Sequence, residues 1–178
     1  MRSVFVKRSA MAGLLAIAAS AAAAARAVDL AWRRMESSAT GRARWIWATD
    51  DVRSPQPARF TASRSVALDA DVPGARARIF VDRAYRLFLD GRLVGAGGMR
   101  PGDAMDSFAL PALARGVHTM AIEAGSPTGI GGILFALDLD GAGRNAVVSD
   151  SSWKVGGRPV FVWGDPPMYP WGFPHPRR

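Results

Sequence analysis

The amino-acid sequence predicts an all-β fold, an antiparallel β-sandwich, on three observations. Short segments alternate apolar and polar residues with period two, the spacing that sends successive side chains to opposite faces of a strand. ARARIFVD, residues 75–82, sets Ala75, Ala77, Ile79 and Val81 on one side and Arg76, Arg78, Phe80 and Asp82 on the other. Gly, Pro and Asp clusters punctuate these segments at turn-like intervals. No sustained helical periodicity runs through residues 28–178, so the layers that bury the apolar faces must themselves be sheets.

The chain opens differently. MRSVFVKRSAMAGLLAIAASAAAAARAVDL carries Arg2, Lys7 and Arg8, then an apolar run from Met11 to Ala25, then Ala25-Arg26-Ala27 in the A-x-A pattern. Residues 1–27 therefore read as a helical signal peptide, which implies a periplasmic or secreted protein. An uncleaved anchor is the competing reading, and membrane contact is expected only in that case. The run is alanine-dominated and about 15 residues long, short of the ~20 needed to span. Cleavage after Ala27 removes Arg2, Lys7, Arg8 and Arg26 and no acid, so the nominal +8 of the chain falls by four to +4. The remaining positive charges, nearly all arginine, are interspersed with Asp, and no basic stripe forms. Nucleic acid is not expected as a partner.

Hydrophobic residues make up 49% of the 178, within the ordinary ~45–50% of globular chains, enough for one domain with a normal core. The chain has no cysteine, which excludes disulfide staples, thiolate zinc sites and thiol nucleophiles.

Residues 28–43 are polar and Arg/Ser-rich and read as a linker; the β-domain is expected over 44–158. RWIWA (44–48) puts Trp45 and Trp47 on one face at period two. DDVRSPQP is loop, because Pro55 and Pro57 cannot donate to a ladder, and ARFTASRSVAL (58–68) is strand. YRLFLDGRLVG (85–95) reads as a hairpin with Tyr85, Leu87 and Leu89 on one face. Asp90-Gly91 is its structural turn, type I′ with positive φ at both residues. GAGGMRPG (95–102) reads as a glycine-rich loop; it lacks the Lys-Ser/Thr and following helix of a phosphate cradle. DSFALPALARG supplies a strand and a turn at Gly116. VHTMAIEA aligns Met120, Ile122 and Ala124. ILFALDLD sets Ile133, Phe135, Leu137 and Leu139 against Leu134, Ala136, Asp138 and Asp140, and AVVSDSSWKV closes the set.

RWIWA, the YRLFLDGRLVG hairpin, LARGVHTMAIEA and VVSDSSWKV, in that order over residues 44–155, resemble the galactose-binding-like jelly-roll modules at the N-terminal side of bacterial α-L-rhamnosidases and related glycoside hydrolases. The resemblance implies a jelly roll with a sugar-binding or accessory role. His118 stands where the family usually carries Asn after the turn glycine. The large helical barrel that bears the family's acid and base carboxylates is not expected within these residues, so the resemblance transfers no catalytic residue.

The residues themselves also argue against an enzyme. Glycoside hydrolysis needs two carboxylates roughly 5 to 9 Å apart. Asp50-Asp51, Asp69/Asp71, Asp103/Asp106 and Asp138/Asp140 come in pairs but read as solvated outer-face or strand-end residues. His118 and His175, beside a turn and in a proline-rich tail, suggest no triad, and no G-x-S-x-G precedes a helix. A calcium would need about six to eight oxygens; GMRPGDAMD offers Asp103 and Asp106 and reads as a surface turn. No metal and no cofactor is expected.

Aromatic residues are the remaining lead, because sugar sites use an aromatic plate ringed by hydrogen-bonding groups. Trp45, Trp47 and Trp153 read as core packing. Trp163, Tyr169, Trp171 and Phe173 lie in the proline-rich segment 159–178, read as an irregular tail, and are the candidate ligand-binding residues. Two functions are consistent with these features: an exported noncatalytic carbohydrate-binding module, or a docking or structural subunit of a periplasmic complex with a protein partner. A concave pocket with one exposed aromatic and several polar side chains at the loop end of the sandwich favours sugar; a flat apolar patch favours a protein.

Overall fold

The computed structural model describes residues 40–98, 104–168 and 175–176, and Arg26. The chain divides into two units, Met1–Ser37 and Ser38–Arg178, and the β-fold belongs to the second. The predicted signal segment, apart from Arg26, and most of the predicted linker lie outside the described residues. Among the described residues no helix is long and apolar enough to cross a membrane.

Thirteen strands are described. The first eight are β1 (Trp45–Trp47), β2 (Ala58–Leu68), β3 (Ala75–Val81), β4 (Ala84–Leu89), β5 (Arg92–Gly98), β6 (Ala104–Leu110), β7 (Gly116–Ser126) and β8 (Ile133–Leu139). They are followed by β9 (Gly143–Val148), β10 (Lys154–Val155), β11 (Arg158–Pro159), β12 (Phe161–Gly164) and β13 (His175–Pro176). One sheet runs β12-β1-β8-β3-β6-β13, with β9 also on β8; the other runs β11-β10-β2-β7-β4-β5. Among the described residues all strand pairings are antiparallel except β13 on β6. The predicted antiparallel β-sandwich is the observed fold.

Period two explains the core between the sheets. Ala75, Ala77, Ile79 and Val81 of β3 meet Leu139, Leu137, Phe135 and Ile133 of β8 in register and are buried together with Leu87, Ile122, Trp47 and Trp153. Each fully buried Ile, Leu or Phe is worth about 1.5–3 kcal/mol. The connections β1–β2, β3–β4, β5–β6 and β7–β8 all pass from one sheet to the other at the same end, since the start of β2 pairs with the end of β7 and the start of β4 with the end of β5. That crossing end positions the candidate site.

The Asp90-Gly91 turn is as expected. Leu89 pairs with Arg92, and φ is 50° at Asp90 and 76° at Gly91, the signature of a two-residue type I′ turn. A bulge after Leu87 leaves Val94 as the extra residue.

Four expectations change. Trp45 and Trp47 do not share a face: a register shift between Trp45 and Ile46 breaks the alternation. Trp47 enters the main core, whereas Trp45 joins Ala43, Phe80, Met105 and Leu134 in a second cluster. Gly95–Gly98 are strand, not loop, because the missing side chain is needed for close approach: a Cβ on Gly95 would lie 2.2 Å from Phe108 Cε1. The irregular tail starts later than residue 159, since Phe161–Gly164 forms β12 against β1. Finally, Thr40, Gly41 and Ala43, read as linker, are buried.

Candidate functional site

An open groove of about 870 Å³ lies at the crossing end, over the start of β2, the end of β7 and the start of β4. Pairing register builds it from three separate stretches of sequence. Arg59 of β2 lies opposite Gly125 of β7, which lies opposite Ala84 of β4. Two residues further along, Thr61, Glu123 and Arg86 form the next row. Alternation makes each of these an outward position, while their neighbours Ala62, Ile122, Ala124, Tyr85 and Leu87 go to the core and Phe60 packs against it. Gly125 and Ala84 give the groove a low floor, and charged side chains rise on both sides.

The electrostatics are lopsided. Three guanidinium groups, of Arg59, Arg83 and Arg86, line the groove with one carboxylate, that of Glu123. Arg86 forms an ion pair with Glu123 and lies 5.6 Å over the Phe88 ring. Arg83 Nε stands 3.6 Å from Asp82 Oδ1. Arg59 has no acidic partner among the described residues. Arg83 occupies the two-residue crossing from β3 to β4 with φ at 90°, a left-handed conformation that costs a non-glycine residue about 1–3 kcal/mol. The neighbouring backbone is fixed by Asp82 N donating to Gly132 O at 2.9 Å.

Of the candidate ligand-binding aromatics, Trp163 is on β12, half-buried, and is not among the residues lining this groove. Its Nε1 donates to Gly131 O at 3.1 Å, and its ring meets Phe161 edge-on at 5.0 Å. It anchors an edge strand to both apolar clusters. Tyr169, Trp171 and Phe173 lie outside the described residues. Trp45, Trp47 and Trp153 are buried, as core packing requires; Trp47 and Trp153 donate to Gly129 O and Val148 O at 2.9 and 3.0 Å. The groove's own aromatics, Phe60 and Tyr85, are half-buried and buried, so no exposed plate stands in its lining.

Members of the carboxylate pairs have partners of their own. Asp51 Oδ1 accepts the Arg53 and Ser54 amides at 3.1 and 3.0 Å and shapes its own loop; Asp71 accepts Arg115 N at 2.7 Å. Asp138 is not a solvated residue: both oxygens accept from Arg78, at 2.6 and 2.7 Å, and Oδ1 also accepts Asn145 N at 2.7 Å. Burial alone would raise its pKa, but these hydrogen bonds outweigh burial and hold it below the usual carboxylate range. Asp106 is not a turn residue either; it sits on β6 and accepts the Tyr85 hydroxyl at 2.7 Å. Asp103 lies outside the described residues. Among the described residues no group of three or more His, Asp or Glu could hold a metal ion.

His118, the departure from the resembling family, has a structural use at the opposite end. Its Nδ1 meets Asp90 Oδ2 at 2.7 Å and its Nε2 meets Ala114 O at 2.7 Å, while Asp90 Oδ1 accepts Thr119 N at 2.7 Å. The Ala114 carbonyl and then the Asp90 carboxylate favour the imidazolium and raise the His118 pKa. The hydrogen bond from His118, with that from Thr119 N, lowers the pKa of Asp90.

Sequence reasoning missed Arg59, Thr61, Arg83, Arg86 and Glu123. Alternation marks several as outward-facing, but nothing in one sequence aligns β2 with β7 and β4.

This architecture defines a class: a jelly-roll-like β-sandwich with an arginine-lined groove at its crossing end. No protein-family model and no curated protein sequence matches the chain. Solved structures do. The apo lectin of Pleurotus ostreatus superposes with a TM-score of 0.64 at 26% identity, over 77% of this chain and 46% of that one. The same lectin in complex with GalNAc gives 0.64 at 25% identity, over 79% and 47%. Streptomyces avermitilis α-L-rhamnosidase complexed with L-rhamnose gives 0.66 at 24% identity, over 75% of this chain and 16% of that one. The chain thus spans about half of the lectin and a sixth of the rhamnosidase. The fold is shared with a lectin, and with a part of α-L-rhamnosidases as the sequence resemblance implied.

Proposed function

We propose that the chain is a noncatalytic carbohydrate-binding module acting outside the cytoplasm. The observation that carries this reading is the open groove at the crossing end, where Thr61 and the Arg86–Glu123 ion pair place hydrogen-bonding groups beside a low floor at Gly125. Lectin similarity supports it: a neighbour with this fold is a lectin solved with GalNAc. The export pattern of residues 1–27 supports the location. Docking to a protein partner has less support, because the exposed large apolar side chains among the described residues, Val52, Leu93, Val117 and Phe161, are scattered over different strands and loops.

A glycan array probed with the protein tests the reading, followed by calorimetric titration of the best binder against the parent and Glu123→Gln. Saturable binding to a subset of glycans, weakened by Glu123→Gln, with no sugar released from the probe, is the expected result. An array without binders, or binding that Glu123→Gln leaves intact, overturns it.

A further inference from the structure

The charge of the groove narrows the kind of sugar it fits. Glu123 is already engaged by Arg86, and Arg83 has Asp82 beside it. Arg59 is different: an exposed guanidinium on the groove wall with no acidic partner among the described residues. A hydrated guanidinium with no acidic partner is open to an anion from solution, and the groove as a whole carries more guanidinium than carboxylate.

Geometry points the same way. Adjacent strands lie about 4.8 Å apart, so Arg59 on β2 and Ala84 on β4 are separated by two spacings, roughly 10 Å, with Gly125 between them. That width admits a single pyranose ring over the glycine. A ring seated there has Arg59 at one edge and the Arg86–Glu123 pair one row along.

We infer that the groove takes a sugar bearing a carboxylate, a uronic acid residue, with the Arg59 guanidinium as its anion contact and Thr61, Arg86 and Glu123 available to its hydroxyls. The planar fork of an arginine matches both oxygens of a carboxylate. A neutral hexose leaves Arg59 with water alone. This inference rests on the carbohydrate reading above and specifies its ligand.

The test is calorimetric titration at physiological ionic strength with three probes: trigalacturonate, its methyl ester and neutral galactotriose. Trigalacturonate should bind about ten-fold more tightly than its methyl ester, the worth of one charge-assisted hydrogen bond. Arg59→Gln should erase that preference and Arg59→Lys should keep part of it. Arg76→Gln, an exposed arginine on the other sheet, should leave it intact. Arg59 is exposed on its strand, and matching thermal melts of the Arg59 variants and the parent will show that the loss is one of binding.

Equal affinity for the acid and its methyl ester, unchanged by Arg59→Gln, overturns the uronate inference while leaving the carbohydrate reading standing. Equal weakening by Arg76→Gln also overturns it, since that marks diffuse attraction of a polyanion. Failure of trigalacturonate alongside neutral binders on the array sinks this inference alone; failure of every glycan sinks both.

Discussion

The Asp90–His118 contact makes the stability of the sandwich depend on pH in a direction that can be worked out. Ala114 O can only accept, so Nε2 must donate to it, and Nδ1 faces a carboxylate and donates best when the ring is charged. The folded state therefore favours the imidazolium, tying the β4–β5 turn to the β6–β7 connection. A group whose folded pKa is raised contributes stability that is full below its unfolded value, ~6.5 for His, and is lost as pH rises through the folded value. Asp90 works in the opposite sense. Its folded pKa is lowered, so its contribution is full above the unfolded carboxylate value of ~3.9 and is lost as pH falls through the folded one. The contact is thus strongest in mildly acidic solution.

A charge-assisted hydrogen bond is worth about 1.5–3 kcal/mol when well enclosed. The His118 side chain retains 16% exposure and Asp90 45%, so solvent screening brings the expected loss below that range, to about 1 kcal/mol. Urea denaturation at pH 5.5 and pH 9 should show the parent more stable at the lower pH by about that amount. His118→Asn, which carries no charge at either pH, should flatten the difference. The chain has two histidines, so His175→Asn is the matching control and should leave the dependence intact. A parent whose stability is level across this range, or a His118→Asn variant that keeps the dependence, would refute the assignment of an imidazolium at this contact.

Two further outcomes are expected from the same structure. Gly91→Val should lower stability by about 1–2 kcal/mol or more, since φ at Gly91 is 76° and a Cβ added there would meet nothing within 4 Å, leaving backbone strain as the whole cost; Gly91→Asn should lose less, and equal urea midpoints for parent and Gly91→Val would contradict the turn geometry. Arg78→Met should cost about 3–5 kcal/mol by stranding the Asp138 carboxylate, read as a drop in Tm of about 2–4 °C per kcal/mol, and Arg78→Met with Asp138→Leu should recover most of it; a double variant as unstable as the single would show that the ion pair is not what the site depends on.

The two-faced strands and the Asp90-Gly91 turn are legible in the sequence because each obeys a local rule: alternation fixes which side chains share a face, and a two-residue turn fixes its own φ values. Other features depend on what lies across from a residue. Alternation correctly sends Phe80 and Leu134 to the face away from the main core, yet they are buried there with Trp45 and Met105, because alternation separates two faces without saying what covers each. A single register shift is enough to part Trp45 from Trp47. Gly95 reads as loop because glycine is flexible, whereas here it is strand because Phe108 fills the space a side chain would take.

The groove shows why the site is harder to read than the fold. Its walls come from Arg59 on β2, Glu123 on β7 and Arg86 on β4, residues far apart in sequence whose neighbourhood exists only after β7 is paired on both edges. One trace of it does stand in the sequence. In MAIEAGS the outward positions of a long central strand are Ala121, Glu123 and Gly125, two of them too small to pack against anything. Bulky outward residues on a central strand can shield its backbone; an alanine and a glycine there leave a depression that the longer side chains of the flanking strands must border. Small outward residues on the middle strand, with arginines at outward positions on both presumed neighbours, therefore constitute a groove signal of their own once strand order is assumed, and the sandwich topology implied by the resemblance supplies that order.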